Sequence, residues 1–515
     1  MIAKEKLNIL WSLEQTAEKY ADRVAVSDVN QELTWKELVK KAQVIGAELS
    51  EKVQPGNPVP VLLEKSSETL AVMLGIVYAG CFYVPVNPMN PTERLRKIME
   101  KLDPEVIISD EKGKEQLAAV GNGLEEKVIG PETLLATTGT DLSEEQRSKL
   151  EQIQGQWKET DALYGIFTSG STGTPKAIVV SHGAASRFIR HFTEIFEITS
   201  EDVIGNQAPF DFDVSVKDIY SSIMTGAQLV LIPKEYFSTP PRLLDYLCDK
   251  KVTNLTWAVS ALTLVSALKG LNYRVPESVK RVMFSGEAMP AKQLRIWQEK
   301  LPEAKFVNLY GPTEITCNCT YFPIERQYED SEKIPAGKAF PGRRVILVDE
   351  EGKQVTEPGV QGEICSAGES LANGYYKEPE QTAEKFVLYP VDGTEQRMYR
   401  TGDLGSYDEE GNIVFAGRKD FQIKHMGHRI ELEEIERSMT LDGVEKSCCV
   451  FDMEKNRIMG FYLGEKAASD VRKQMKEKLP VYMVPTKLIQ VDEMPLNKNG
   501  KTDRNYFKNY GKNRM

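Results

Sequence analysis

Between two apolar runs, Ala162-Leu-Tyr-Gly-Ile166 and Ala177-Ile-Val-Val180, lies the stretch Phe167-Thr-Ser-Gly-Ser-Thr-Gly-Thr-Pro-Lys176. Short apolar runs bounded by turn residues read as buried strands. The chain must therefore contain a sheet from which a loop rich in hydroxyls and glycine projects. Glycine lets a backbone approach an anion closely, and consecutive amides can form a concave anion site. The hydroxyls and Lys176 add donors and positive charge, so the loop suits phosphate groups. It is not the GxxxxGK[ST] loop, because Gly170 and Gly173 are too close and Pro175 precedes the lysine. Taken alone, it also fits a plain connection between strands.

The chain has 515 residues, more than one compact core usually holds, so at least two domains are expected. Its 65 basic and 76 acidic residues leave a net charge of -11, which argues against non-specific nucleic-acid binding and against an anionic membrane surface. The uncharged stretch Leu70 to Val86 contains Gly75, Gly80 and Pro85 and changes character near Gly80. It reads as a buried helix and then a buried strand, not a membrane span. Cys317 and Cys319 are separated by one residue and Cys448 and Cys449 are adjacent, so neither pair has zinc-ligand spacing. Reduced, buried thiols in a cytoplasmic protein are expected. The start of the chain shows helical spacing, with Leu7, Leu10, Leu13 and Ala17, not a secretory signal.

Helical and strand-like segments alternate from Leu33 to Ser109 and again from Ala184 to Phe284, which indicates α/β layers. The polar region Thr137 to Thr160 reads as a surface excursion. From Arg344 shorter strands and turns suggest a β-rich, barrel-like subdomain. After Gly417-Arg-Lys-Asp420 a small α+β unit is readable, with helices at Glu431 to Met439 and Ala468 to Lys478. The expected organisation is a large α/β domain over residues 1–419, of sheets flanked by helices plus the barrel-like part. A small, mobile α+β domain would follow over 420–515.

Further turns join the loop: Asn308-Leu-Tyr-Gly-Pro-Thr-Glu314, Tyr399-Arg-Thr-Gly-Asp403 and Asn499-Gly-Lys-Thr-Asp-Arg504. With Gly362-Glu-Ile364, Gly374-Tyr375 and Gly417-Arg-Lys-Asp420, and in this order, they closely resemble the adenylate-forming superfamily over nearly the whole chain. The stretches Asn206-Gln-Ala-Pro-Phe-Asp-Phe-Asp-Val-Ser-Val216 and Lys424-His-Met-Gly-His-Arg-Ile-Glu-Leu-Glu-Glu434 look most similar to amino-acid-activating members, the former especially to stand-alone D-alanine–carrier-protein ligases. That group includes the adenylation domains of nonribosomal peptide synthetases.

The resemblance implies an AMP-forming ligase that uses ATP and Mg²⁺. Thr168, Ser169, Gly170, Ser171, Thr172, Gly173 and Lys176 would hold the β- and γ-phosphates. Tyr310 would stack on adenine beside Gly286 and Glu287. Thr313 would meet the α-phosphate, Glu314 would help hold Mg²⁺, Asp403 would bind the ribose and Arg418 would lie nearby. Lys501 would bridge the substrate carboxylate and the α-phosphate, and it is the expected catalytic residue together with Thr172 and Glu314. Asp420 falls at a hinge about which the small domain would exchange Lys501 for the Gly427 region.

Asp213 would pair with the substrate's α-ammonium, which favours an amino acid over a fatty or aryl acid. The remaining pocket positions implied are Val214, Lys217, Trp257, Met283, Ser285, Leu309, Cys317 and Asn318. Small polar, acidic and D-alanine substrates all stay open: Lys217, if inward, could meet a side-chain carboxylate, and otherwise would reach water. No carrier segment follows Arg504 in this sequence, so the expected acceptor is a separate phosphopantetheinylated carrier protein, met by a monomer. An acyl-CoA synthetase using free coenzyme A and a catalytically silent nucleotide-binding protein are the competing readings.

Overall fold

The computed structural model describes residues 7–136, 141–170, 174–440, 443–453, 455–496 and 502–510. The two runs that flank the Ser/Gly loop pair antiparallel as Ala162–Thr168 and Lys176–Ser181. They belong to a seven-stranded sheet that continues through Phe82–Pro85, Pro58–Leu62, Ile107–Ser109 and Val128–Ile129. A nine-stranded sheet carries the parallel run Gln228–Leu231, Val203–Asn206, Asn254–Ala258, Arg281–Ser285 and Lys305–Tyr310.

Helices Ile9–Lys19, Trp35–Ser50, Ser67–Tyr78, His182–Ile195 and Val214–Thr225 fill the space between these sheets, where one apolar cluster takes side chains from both. Further clusters cover the outer faces, so the two sheets are covered on both sides. Helix Ser67–Tyr78 is buried on nearly all its residues, which explains the uncharged stretch. It crosses helix Trp35–Ser50 closely: a Cβ on Gly46 would lie 2.5 Å from Tyr78 Cβ, and one on Gly75 2.4 Å from Ile45 Cγ2. Among the described residues no helix is long and apolar enough to cross a membrane.

An antiparallel six-stranded sheet, built around Gly362–Gly368 and the long strand Thr394–Tyr407, forms the barrel-like part. Beyond it, a hairpin Gln422–His425/His428–Glu431 precedes a three-stranded sheet with helices Leu432–Met439 and Ala468–Lys478. That part has its own apolar cluster, which includes Ile435, Met439, Cys449 and Tyr462.

Within the polar region expected as a surface excursion, the described residues 141–160 are mostly exposed and include helix Glu144–Gly155. A reciprocal capping box of Ser143 and Gln146 starts it, and Leu150 is its only buried residue. One apolar contact in twelve positions leaves almost no periodic signal. The seven cysteines are unpaired and six are buried.

Candidate functional site

In parallel sheets, ligands bind outside the carboxyl ends of the strands. Here those ends deliver Phe212 and Asp213 after Val203–Asn206, Ser285-Gly-Glu287 after Arg281–Ser285, and Tyr310-Gly-Pro-Thr-Glu314 at the end of Lys305–Tyr310. Asp213, Val214, Ser285, Gly286 and Thr313 line one cleft with Thr168 and Ser169 of the Ser/Gly loop. Gly286 sits at φ +100 with no atom within 4 Å of where a Cβ would point, so the conformation demands glycine although the space does not.

Asp213 stands at the start of helix Val214–Thr225, with helical angles and no capping bond from its side chain. Burial pushes its carboxyl up, partly offset by a hydrogen bond with Thr313. Lys217, one turn on, is fully buried and also reaches the cleft, where its ammonium donates to Asn318 Oδ1 at 2.7 Å. Burial pushes Lys217 down. Asn318 and Cys317 are presented by a turn in which Thr316 and Cys317 both have positive φ, 56° and 67°. Thr316 Oγ1 donating to Ser370 O at 2.7 Å and Cys317 Sγ contacting Asp213 O at 3.1 Å hold that strained turn.

On the opposite wall, Tyr310 Oη donates to Asp403 Oδ2 at 2.6 Å, and Arg418 donates to Asp403 Oδ1. Arg418 also makes a bidentate bond to Asp420, at 2.6 and 2.8 Å. Burial acts to lower Arg418, but the bond to Asp420 and the charge of Asp403 win and hold it above its ordinary value. Lys424 lines the same cleft, pushed down by burial although Asp403 and Asp213 act to raise it.

The hairpin turns at Met426 and Gly427, with φ 53° and 80°, the pair of positive angles a two-residue loop requires. It projects into the cleft. Gly427 N donates to Glu287 Oε1 at 2.7 Å, Ser169 Oγ donates to the Arg429 carbonyl at 2.7 Å, and His428 packs edge-on against Phe212. Arg429 donates to both oxygens of Glu314, and Tyr375 Oη donates to one of them. Burial alone would raise Glu314, but the Arg429 guanidinium holds it below the usual range. A cavity of about 1840 Å³ adjoins this cleft and shares Phe212, Gly286, Lys424 and Gly427 with it; Phe237, Val259 and Leu264 also line it.

The structure thus gathers most of the sequence-derived residues. Met283 and Leu309 lie in the core cluster beside the cleft, and Leu309 lines the adjoining cavity. Lys176 Nζ lies 5.2 Å from the centre of the Tyr375 ring, and a Cβ on Gly170 would lie 2.1 Å from Thr174 O. Ser171, Thr172, Gly173 and Lys501 fall outside the described residues.

Trp257 is corrected. It points to the outer face of the nine-stranded sheet, packs on Phe237 and donates to Gly205 O at 2.8 Å. Its neighbour Thr256 points the other way, where it hydrogen-bonds Asp218. Sequence reasoning gave Lys424 and Arg429 no role of their own; the basic residues around Gly427 were the available signal. It also missed a chain from the half-buried Lys65 through Asn206 to the buried Asp218: Lys65 donates to Asn206 Oδ1 at 3.1 Å, and Asn206 donates to Asp218 at 2.9 Å.

A family model described as AMP-binding enzyme matches residues 13–376. Tyrocidine synthase 3 of Brevibacillus parabrevis is 33% identical over 502 residues, covering 96% of this chain and 7% of that protein. Bacitracin synthase 1 of Bacillus licheniformis is 33% identical over 499 residues, covering 95% of this chain and 9% of that protein. The chain therefore spans under a tenth of the length of these two relatives. Among solved structures, the adenylation domain AlmE of Vibrio cholerae, in complex with glycyl-adenosine-5'-phosphate, aligns with TM-score 0.84 at 21% identity, over 100% of this chain and 99% of that one. NpsA-ThdA, an artificially fused adenylation-PCP di-domain from Klebsiella oxytoca, aligns with TM-score 0.80 at 23% identity, over 93% of each chain.

Proposed function

The chain belongs to the AMP-binding enzyme family, and on that premise we propose that it activates an amino acid with ATP and passes it to a carrier protein. In the first step a carboxylate oxygen bonds to the α-phosphorus and the bond to pyrophosphate breaks. In the second, a phosphopantetheine thiol bonds to the acyl carbon and AMP leaves.

The observation that carries this reading is Asp213 facing a cleft rimmed by Arg418, Lys424 and Arg429. An acid for an α-ammonium beside cations for a polyanion is what the first step requires. Relatives named as synthases of tyrocidine and bacitracin, and neighbours solved with an aminoacyl-adenylate or fused to a carrier domain, support it. We assign the phosphates to Thr168, Ser169, Gly170, Ser171, Thr172, Gly173 and Lys176, and adenine to Tyr310 with Gly286 and Glu287. Asp403 and Arg418 take the ribose side, Thr313 the α-phosphate, and Lys501 the carboxylate and α-phosphate oxygens.

Mg²⁺, when bound, neutralises phosphate charge. Both Glu314 oxygens are engaged by Arg429 here, so the carboxylate fits a metal only when Arg429 withdraws. We therefore assign this arrangement, with Gly427 seated in the cleft, to thiol transfer. The cavity beside Phe212 would admit the thiol, and rotation of residues 420–515 about Asp420 would exchange the hairpin for Lys501.

The test is amino-acid-dependent ATP–pyrophosphate exchange, followed by mass spectrometry of a phosphopantetheinylated carrier. Exchange should require an amino acid, and Asp213→Ala should lower kcat/KM for it by roughly a hundredfold. Exchange with fatty or aryl acids alone would reject the reading.

A further inference from the structure

Lys217 carries a fully buried amine at the cleft, and its hydrogen-bond partner is neutral, Asn318 Oδ1 at 2.7 Å. Among the described residues no carboxylate pairs with it directly; Asp213 and Asp218 act on it through space. Buried charges are normally paired, because an uncompensated one is costly. Asp218 is a poor counter-ion. Its carboxyl is pushed up to about 7 by burial, and one of its oxygens already accepts from Asn206. Asp213, the other acid nearby, is the group assigned above to the substrate's α-ammonium. Once that ammonium is seated, Asp213 is shared and offsets Lys217 less.

Geometry sets the scale of the missing anion. Asp213 has helical backbone angles, so Asp213 and Lys217 stand four residues apart on one face of a helix. Side chains so placed lie roughly 5–6 Å apart at Cβ, so one small ligand can meet both. A serine hydroxyl could accept one bond from Lys217 but would bring no charge, and an alanine methyl would bring neither.

Resting on the amino-acid-activating reading above, we infer that the substrate is an amino acid bearing a side-chain carboxylate, which the Lys217 ammonium and the Asn318 amide hold at the floor of the cleft.

The experiment is ATP–pyrophosphate exchange by the full chain with L- and D-aspartate, L- and D-glutamate, the matching amides, serine and alanine. The expected result is a preference for one acid over its amide of at least about a hundredfold in kcat/KM. Lys217→Met should abolish that preference by raising KM for the acid while KM for ATP stays unchanged. Should that variant fail to fold, the acid-to-amide ratio of the unaltered chain still decides. Equal or faster exchange with an amide, serine or alanine would overturn the inference and leave amino-acid activation standing. Silence with every amino acid would overturn both.

Discussion

Arg429 donates to both carboxylate oxygens of Glu314, at 2.9 and 2.8 Å, across 115 residues of chain. The pair exists because the hairpin turn is seated in the cleft, so under the assignment proposed above it favours thiol transfer. Hydrogen bonds to charged groups contribute about 1.5–3 kcal/mol, or roughly tenfold to a hundredfold in a two-state equilibrium. Arg429→Ala is expected to leave amino-acid-dependent exchange within about threefold and to slow single-turnover carrier loading by about tenfold or more. Equal losses in both assays would remove the link between this pair and the second step.

Arg94 and Glu434 form a second bridge between the large part and the C-terminal part, 2.8 Å apart and 7% and 5% exposed. Removing one partner leaves the other charge buried and unpaired, which typically costs about 3–5 kcal/mol. Glu434→Ala and Arg94→Ala should each weaken docking of the two parts, seen as faster proteolysis near residue 420. The double variant should be less impaired than the sum of the singles. Additive effects would mean that the two groups do not depend on each other.

Acid should destabilise the protein early. The ring nitrogen Nδ1 of His182 accepts a bond from Ile9 N at 3.3 Å, so it is unprotonated. Burial lowers this imidazole from 6.5 to about 3. Between those values the unfolded chain binds the extra proton, so stability is present above about pH 6.5 and is lost as pH falls toward 3. His428 is likewise lowered to about 3 by burial and adds to the same trend. His182→Gln should flatten the fall in Tm across this window; an unchanged slope would place its origin elsewhere.

The two neighbours on strand Asn254–Ala258 should separate stability from selectivity. Trp257→Phe removes the bond to Gly205 O and some packing, and should cost about 1–3 kcal/mol without altering which amino acid is used. Thr256→Val removes the hydroxyl that bonds Asp218 and should change relative kcat/KM among amino acids with little change in KM for ATP. A selectivity change in the Trp257 variant would reverse this division of faces.

Much of this was legible because turns and strand ends carry their chemistry locally. The Ser/Gly loop, Tyr310 to Glu314 and Asp403 could each be found from a few consecutive residues. Strand Asn254–Ala258 defeated the same approach: four of its five residues are buried, on both faces, so no polar alternation shows which side chains face the cleft. Trp257 and Thr256 face opposite ways, and a slip of one residue on a strand reverses the face. The pairing of Glu314 with Arg429 left no local trace, since it joins a turn after one sheet to a hairpin far along the chain. Lys217 was recognisable as a position but not as a direction; only the fold turns it inward, onto Asn318.

The hairpin that meets Ser169, Glu287 and Glu314 has a consequence for building chimaeras. The natural place to exchange C-terminal parts between related proteins is the junction at Asp420, in the loop between Ile413–Arg418 and Gln422–His425. A graft there imports the key without its lock: residues 427 and 429 would come from one parent, and the residues they engage at 169, 287 and 314 from the other. Compatibility should be judged at those five positions before overall identity. A recombinant that matches there, and at Arg94 and Glu434, keeps these contacts across the seam, whereas one that does not is expected to lose them.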